Sequence, residues 1–175
     1  HWLKSSKSIA RDVQKGGIRM SEEIFGAVQK LPVNGTKKQV VLQCAPLLTG
    51  IKLSNLLNVR SDQKEEVLRI FEGSPVCCRV LYEFQGRLSI LLYRPGMLAA
   101  YLEREDVKKL MTSFGYENPD LEETLNRIAD AYQDHMNGKR GFPHEIGLVL
   151  GYPPVDVEGF IEKEGRDFLY SGYWK

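Results

Sequence analysis

The sequence is poor in cysteine, in long apolar runs and in net charge, and each shortage removes a class of function. Three cysteines are an odd count, and two of them, Cys77 and Cys78, are adjacent. That is no disulfide framework, and a reducing cytoplasm is the expected setting. The longest apolar runs, such as Leu88 to Tyr93 with one Ser inside, fall far short of the ~20 residues of a membrane span. The first residues, HWLKSSKSIARDVQKGGIRM, carry charges but no apolar stretch of a signal peptide. No membrane partner is therefore expected. Lys plus Arg number 24 against 23 Asp plus Glu, a net +1 that gives no general field for a polyanion. Internal repeats and low-complexity tracts are also missing.

Several reaction motifs are absent too. There is no GxGxxG or GxxxxGK[ST] loop to cradle phosphates and no GxSxG elbow. His144-Glu145 begins like a zinc-protease helix, but that chemistry needs a second His four residues on, and position 148 is Leu. No CxxC pair exists, and Cys77 and Cys78 point to opposite sides of a strand. No metal ligand set is expected, and no cofactor class follows from the residues.

What is present starts with a charge asymmetry. Residues 1 to 19 hold Lys4, Lys7, Arg11, Lys15 and Arg19 against Asp12 alone, whereas the remainder holds 19 basic and 22 acidic residues. Met20-Ser21-Glu22-Glu23 reads as a natural start, with Ser21 capping a helix over about 21–30 that carries Ile24, Phe25 and Val28. The division expected is a basic extension or remnant at 1–19 and one domain at 20–175.

With 42% apolar residues the chain can build a core. Residues 39–44, QVVLQC, read as a strand stopped by Pro46, and Leu53, Leu56 and Leu57 as a short helix. Ser61 opens a helix with Val67, Leu68, Ile70 and Phe71 on its apolar face, ended by Gly73. Val76 to Phe84 and Arg87 to Arg94 flank the two-residue turn Gln85-Gly86 and predict an antiparallel hairpin, with Val76, Cys78, Val80, Tyr82 and Phe84 on one face. The rest is helical: 97–103 and 105–114, then a long helix opened by Asn118-Pro119-Asp120, a short one at 143–150, and a last one from Pro154 to about 164. The sum is an α+β fold, a small sheet with a hairpin at about 76–94 packed by helices.

Candidate chemistry gathers in loops and helix starts. Cys44 falls where a strand was expected to end, and a thiol there can act as nucleophile, metal or haem ligand, or redox group; the bland alternative is a buried packing residue. His144 follows Pro143 in the first turn of a helix, where the dipole favours a neutral imidazole. Cys44 and His144 are the one nucleophile-and-base pair to examine. Lys52 and Arg94 are candidates for holding a small anionic ligand, with Tyr93 and Glu145 beside them in sequence. His135, near the edge of the long helix's apolar stripe, reads as structural.

The segment EIGLVLGYPPVDVEGFI (145–161) has the rhythm of a helix-turn-helix. Residues 154–165 nevertheless hold Asp156, Glu158, Glu162 and Glu164 against Lys163 alone, the wrong sign for phosphates. A helix-turn-helix-like pair is expected as packing, with no nucleic-acid partner.

Three strings, QCAPLLTGIKLSNLL (43–57), LLYRPGMLAAYL (91–102) and FPHEIGLVLGYPPVDVEGFI (142–161), together with GYWK (172–175), resemble a bacterial domain-of-unknown-function family, number 3793. The resemblance spans about 21–175 and implies that Lys175 is a truncation point, because members run on past GYWK. Where that family often has His before Cys-Ala-Pro, this chain has Gln43. The resemblance implies no activity. Two functions are left: a pocket for a small molecule, metal or redox cofactor built on Cys44, Lys52, Tyr93, Arg94, His144 and Glu145, or a non-enzymatic module that contacts a protein partner or another copy through the acidic 154–165 helix and the aromatics Tyr170, Tyr173 and Trp174.

Overall fold

In the computed structural model of the chain, Gln85 and Gly86 both take left-handed backbone, with φ of 48° and 75°. A two-residue turn of that kind twists with the strands it joins, so the hairpin forms where the sequence placed it. The structure describes residues 35–162. They run as α1 (Thr36–Leu48), β1 (Ser54–Arg60), a 3-10 turn (Ser61–Gln63), α2 (Lys64–Phe71), β2 (Cys77–Phe84), β3 (Arg87–Tyr93), α3 (Pro95–Leu102), α4 (Glu105–Ser113), α5 (Leu121–Met136), α6 (Ile146–Val149) and α7 (Pro154–Glu162). The fold is α+β. The basic head, the expected helix at 21–30, the last helix beyond Glu162 and the aromatics at 170, 173 and 174 lie outside the described residues.

The sheet has three strands in the order β1-β3-β2, both neighbours antiparallel to β3. Residues of β3 alternate between its two faces. Leu88, Ile90 and Leu92 enter one core with Val40, Cys44 and Leu47 of α1 and Val67 and Phe71 of α2. Leu91 and Tyr93 enter the other core with Leu98, Val107, Leu110, Met111, Leu125, Ile128, Ile146, Leu148, Val149 and Val157. Helices thus cover both faces, α1 and α2 on one, α3 to α7 on the other. Full burial of each such aliphatic side chain contributes about 1.5–3 kcal/mol, which makes the central strand the best-anchored element.

Two expected elements exchange identity. Residues 39–44 are helical, not a strand, because Val40, Cys44 and Leu47 recur at spacings of four and three and are all fully buried. Pro46 sits inside that helix two residues before its end, and its missing N–H would have paired with the carbonyl of Leu42, on the solvent side of the helix. Residues 54–60, read in part as a helix, form strand β1, which pairs residue for residue with β3 from Ser54↔Tyr93 to Arg60↔Arg87. The demand of β3 for a second ladder outweighs the local Leu spacing.

The single expected face of β2 is also corrected. Cys78 pairs with Leu92 and Val80 with Ile90, but Tyr82 pairs with Ser89, so one extra residue, Leu81, bulges out of register. Val76, Cys78 and Val80 therefore face the α1–α2 core, while Leu81 and Tyr82 face the other. Residues 95–113 form two short helices, α3 and α4. The cap of α5 is Asp120, whose carboxylate accepts from the Glu123 N–H at 2.7 Å, and not Asn118.

Gly151 closes the one-turn helix α6 at φ 81°, and a Cβ there would stand 3.1–3.3 Å from three side-chain atoms of Leu53. Gly151→Ala is expected to lose about 1–3 kcal/mol of stability, from left-handed strain and overpacking, read as a lower urea midpoint at unchanged slope. A midpoint equal to the parent chain would contradict this packing of α6 against the start of β1.

Candidate functional site

The candidate residues divide into three places. The first is the end of the sheet where β1 begins and β3 finishes. Here α1 stops in a tight motif: Gly50, at φ 76°, donates to Leu47 O, and Ile51 donates to Pro46 O at 2.9 Å. The last carbonyls of α1 also accept from the residue that follows β3. Arg94 donates through Nε to Leu47 O at 2.8 Å and through Nη2 to Leu48 O at 2.7 Å, while its own N–H bonds Leu53 O. A guanidinium beside the negative end of a helix is favoured by both hydrogen bonds and dipole. Arg94, expected to hold a ligand, therefore fastens α1 to the sheet.

Lys52 lies at the same end, its ammonium 5.8 Å from the ring centre of Tyr152. Tyr152 O accepts from the Tyr101 hydroxyl at 2.6 Å, and Ser54 Oγ donates to Val149 O at 2.6 Å. Three separated stretches, 47–54, 93–101 and 149–152, thus meet within a few hydrogen bonds. Tyr93 also ends here, but its ring is buried in the helix-rich core and its hydroxyl is pushed upward, chiefly by burial and then by the charge of Glu122. Arg79 crosses above it to bond Asn126 and Glu122 on α5.

Cys44 occupies a second place. Its thiol is fully buried on the α1–α2 side, with Asn55 Nδ2 3.7 Å from Sγ. Burial pushes the thiol upward, only partly offset by the Asn55 contact. A nucleophilic or metal-binding thiolate needs the opposite environment, an exposed and electropositive one.

The third place holds His144 and Glu145, on the other face of the sheet. The His144 ring stands 5.6 Å from that of Phe142 and 5.5 Å from that of Phe160, so it joins the 140s loop to α7. Phe142 also meets His135 edge-on at 5.3 Å, in keeping with a structural His135. Glu145 is only 4% exposed, with Arg140 Nη2 3.5 Å from Oε1. Burial, and after it the Glu145 charge, raise the neighbouring Tyr116 hydroxyl to about 12. Arg127 stacks 4.1 Å over the Tyr116 ring. Glu145 is an internal charge held by its neighbours, and the sequence, which put it on a helix start, gave no sign of that burial.

The structure brings Lys52, Tyr93 and Arg94 to one end of the sheet. It does not bring Cys44 and His144 together, because the sheet lies between them. Among the described residues no group of three or more His, Cys, Asp or Glu side chains is arranged to hold a metal ion. A recess of about 70 Å³ between α3, α4 and α5, lined by Leu102, Met111, Tyr116 and Asp120, contains none of the six expected site residues. No helix among the described residues is long and apolar enough to cross a membrane.

Sequence reasoning missed the exposure of Ile51, Met97 and Val155, three large apolar side chains. The one local signal at Ile51 points the other way, because the residue after a left-handed glycine at a helix end commonly folds back on the helix. Ile51 is 68% exposed instead.

Burial lowers the pKa of His144, and the adjacent Glu145 charge only partly opposes that. The unfolded chain then binds the proton more readily than the folded one. The contribution of His144 is present above its unfolded value of about 6.5 and is lost as pH falls below it toward the lower folded value. Stability between about pH 7.5 and 5.5 should fall with acidification, and His144→Gln should flatten that slope. A slope unchanged in the variant would contradict the placement of His144 between two phenyl rings.

No curated protein and no solved structure matches this chain significantly. Residues 40–175 match the family model described as "Protein of unknown function (DUF3793)", a span that starts inside α1 and takes in every element that builds the sheet end. The chain belongs to that family.

Proposed function

We propose that the chain is a non-enzymatic protein-interaction module, and that its contact surface is the end of the sheet around Ile51, Lys52, Met97, Tyr152 and Val155. One observation carries the reading. Val155 and Ile51, at 69% and 68%, are the two most exposed large apolar side chains among the described residues, and Ile51 adjoins in sequence Lys52, whose ammonium meets Tyr152. Val155 is three residues past Tyr152, and Met97 three past Arg94, whose N–H bonds Leu53. Large apolar side chains left exposed beside polar neighbours are what contact surfaces present.

Helix α7 extends the surface. Of its nine residues only Val157 is buried, while Asp156, Glu158, Ile161 and Glu162 are exposed with Val155. The acidic helix singled out in the sequence is thus available for contact. A small-molecule, metal or redox-cofactor pocket around Cys44 and His144 is less well supported, since it needs both side chains in one cleft. Free Cys77 on the exposed start of β2 supports a reducing compartment, and the cytoplasm is the proposed location.

A photo-cross-linking residue placed at 51 or at 155 in the full chain, in cells making it at native level, is expected to give discrete adducts. The same residue at exposed Glu66, on α2, is expected to give none. Absence of adducts from both 51 and 155 would contradict the reading.

A further inference from the structure

We infer that the chain pairs with a second copy of itself along the outer edge of β1, so that two three-stranded sheets join across a two-fold axis. The site is an edge of the sheet and does not depend on the contact surface proposed above. Two bonds that frame β1 fix the direction of its peptide groups. Leu53 O accepts from the Arg94 N–H, and the Ser61 N–H donates to Gly86 O. Both bonds continue the β1–β3 register, so Asn55, Leu57 and Val59 turn their N–H and C=O groups toward β3. Ser54, Leu56, Asn58 and Arg60 turn theirs outward. Ser54 is fully buried and its hydroxyl bonds Val149 O, so that end of the edge is closed. At the other end the Arg60 N–H donates to the Gln63 side chain at 3.0 Å. Among the described residues, no hydrogen bond engages the outward N–H or C=O of Leu56 or Asn58.

The two edges of the sheet differ. β2 is bulged at Leu81, which interrupts pairing with a further strand, whereas all seven residues of β1 stay in register. From Leu56 to Val59 the open edge carries no charge to repel a neighbouring strand. Its centre is the exposed Asn58, whose Oδ1 accepts from the Ser89 hydroxyl at 2.6 Å. The Nδ2 hydrogens of Asn58 meet no acceptor among the described residues, and Oδ1 has a second lone pair. An amide is its own complement, so across the axis each Asn58 donates from Nδ2 to Oδ1 of the other copy. The backbone follows the same symmetry. The outward peptide groups of residue 58 bond each other, and each Leu56 N–H meets Arg60 O of the other copy. A partner strand with a carboxylate or an ammonium opposite Asn58 would use only half of the amide. The edge therefore fits a neutral strand with an amide at the same position, which the chain itself supplies.

The test is the mass of the full chain in solution, followed by sedimentation from about 1 μM to about 1 mM. The parent chain is expected to pass from monomer to dimer over that range. Asn58→Asp still accepts from Ser89, so it should leave folding intact, but it sets two carboxylates on the axis and should weaken the dimer about tenfold or more. Asn58→Lys alone should do the same. An equimolar mixture of the two variants should restore the dimer, because residue 58 faces residue 58. Opposed residues whose peptides bond each other stand about 5.5 Å apart at Cα, within reach of a disulfide. With exposed Cys77 changed to Ser, Asn58→Cys should therefore cross-link to its own copy on mild oxidation, and Arg60→Cys should not. A parent chain that stays monomeric throughout overturns the inference, even where another protein pairs with this edge. A dimer that Asn58→Asp leaves unchanged, or one that cross-links through position 60 in preference to 58, overturns it as well.

Discussion

Strand β3 has to be covered on both faces, and most of the structure follows from that requirement. Its residues from Leu88 to Tyr93 are all buried, alternating between two separate cores. A strand that is apolar on both sides cannot sit at an edge or face water, so it takes β1 and β2 as neighbours and helices above and below. The only polar residue in that run, Ser89, donates to Asn58 Oδ1 on β1 at 2.6 Å and so does not leave an unpaired hydroxyl in the core. The bulge at Leu81 serves the same end, because it delivers Leu81 and Tyr82 together to the larger core.

The same constraint decides where chemistry is absent and where contact is possible. A sheet covered on both faces keeps Cys44 and His144 apart and leaves the strand ends as the places where segments distant in sequence converge. At the end beside Tyr93, Arg94 joins α1 to β3 through two carbonyls, and Lys52 and Tyr152 meet nearby. Arg94, one of the residues that pointed to a ligand, fastens α1 to the sheet. An arginine that completes a helix end and an arginine that clamps a carboxylate look alike in sequence, because both need the same planar fork of donors.

The hairpin was legible because its turn residues, Gln85-Gly86, and two flanking apolar runs agree at the local level. The short helices α6 and α7 were legible for a similar reason, with Gly151 and Pro153-Pro154 punctuating them. The interchange of α1 and β1 has a physical origin. QVVLQC and LSNLLNV are both short apolar runs, and periodicity cannot separate a buried helix from a buried strand at that length. Pro46 pointed the wrong way, although Val40, Cys44 and Leu47 carried the helical spacing. The bulge left no trace, since a one-residue shift in pairing depends on what lies opposite. The burial of Glu145 and the exposure of Ile51 and Val155 were equally hidden, because both are set by tertiary neighbours and not by residue type.

The claim on which the rest hangs is that the sheet seals Cys44 into a core apart from His144, so that the thiol is a packing group. Timed alkylation of the native chain in increasing urea, read by mass at each cysteine, addresses it directly. Exposed Cys77 should react at once, and Cys44 only as the whole chain unfolds, with a midpoint equal to that of global unfolding. Reaction of Cys44 in the native protein at a rate comparable to that of Cys77 would contradict it.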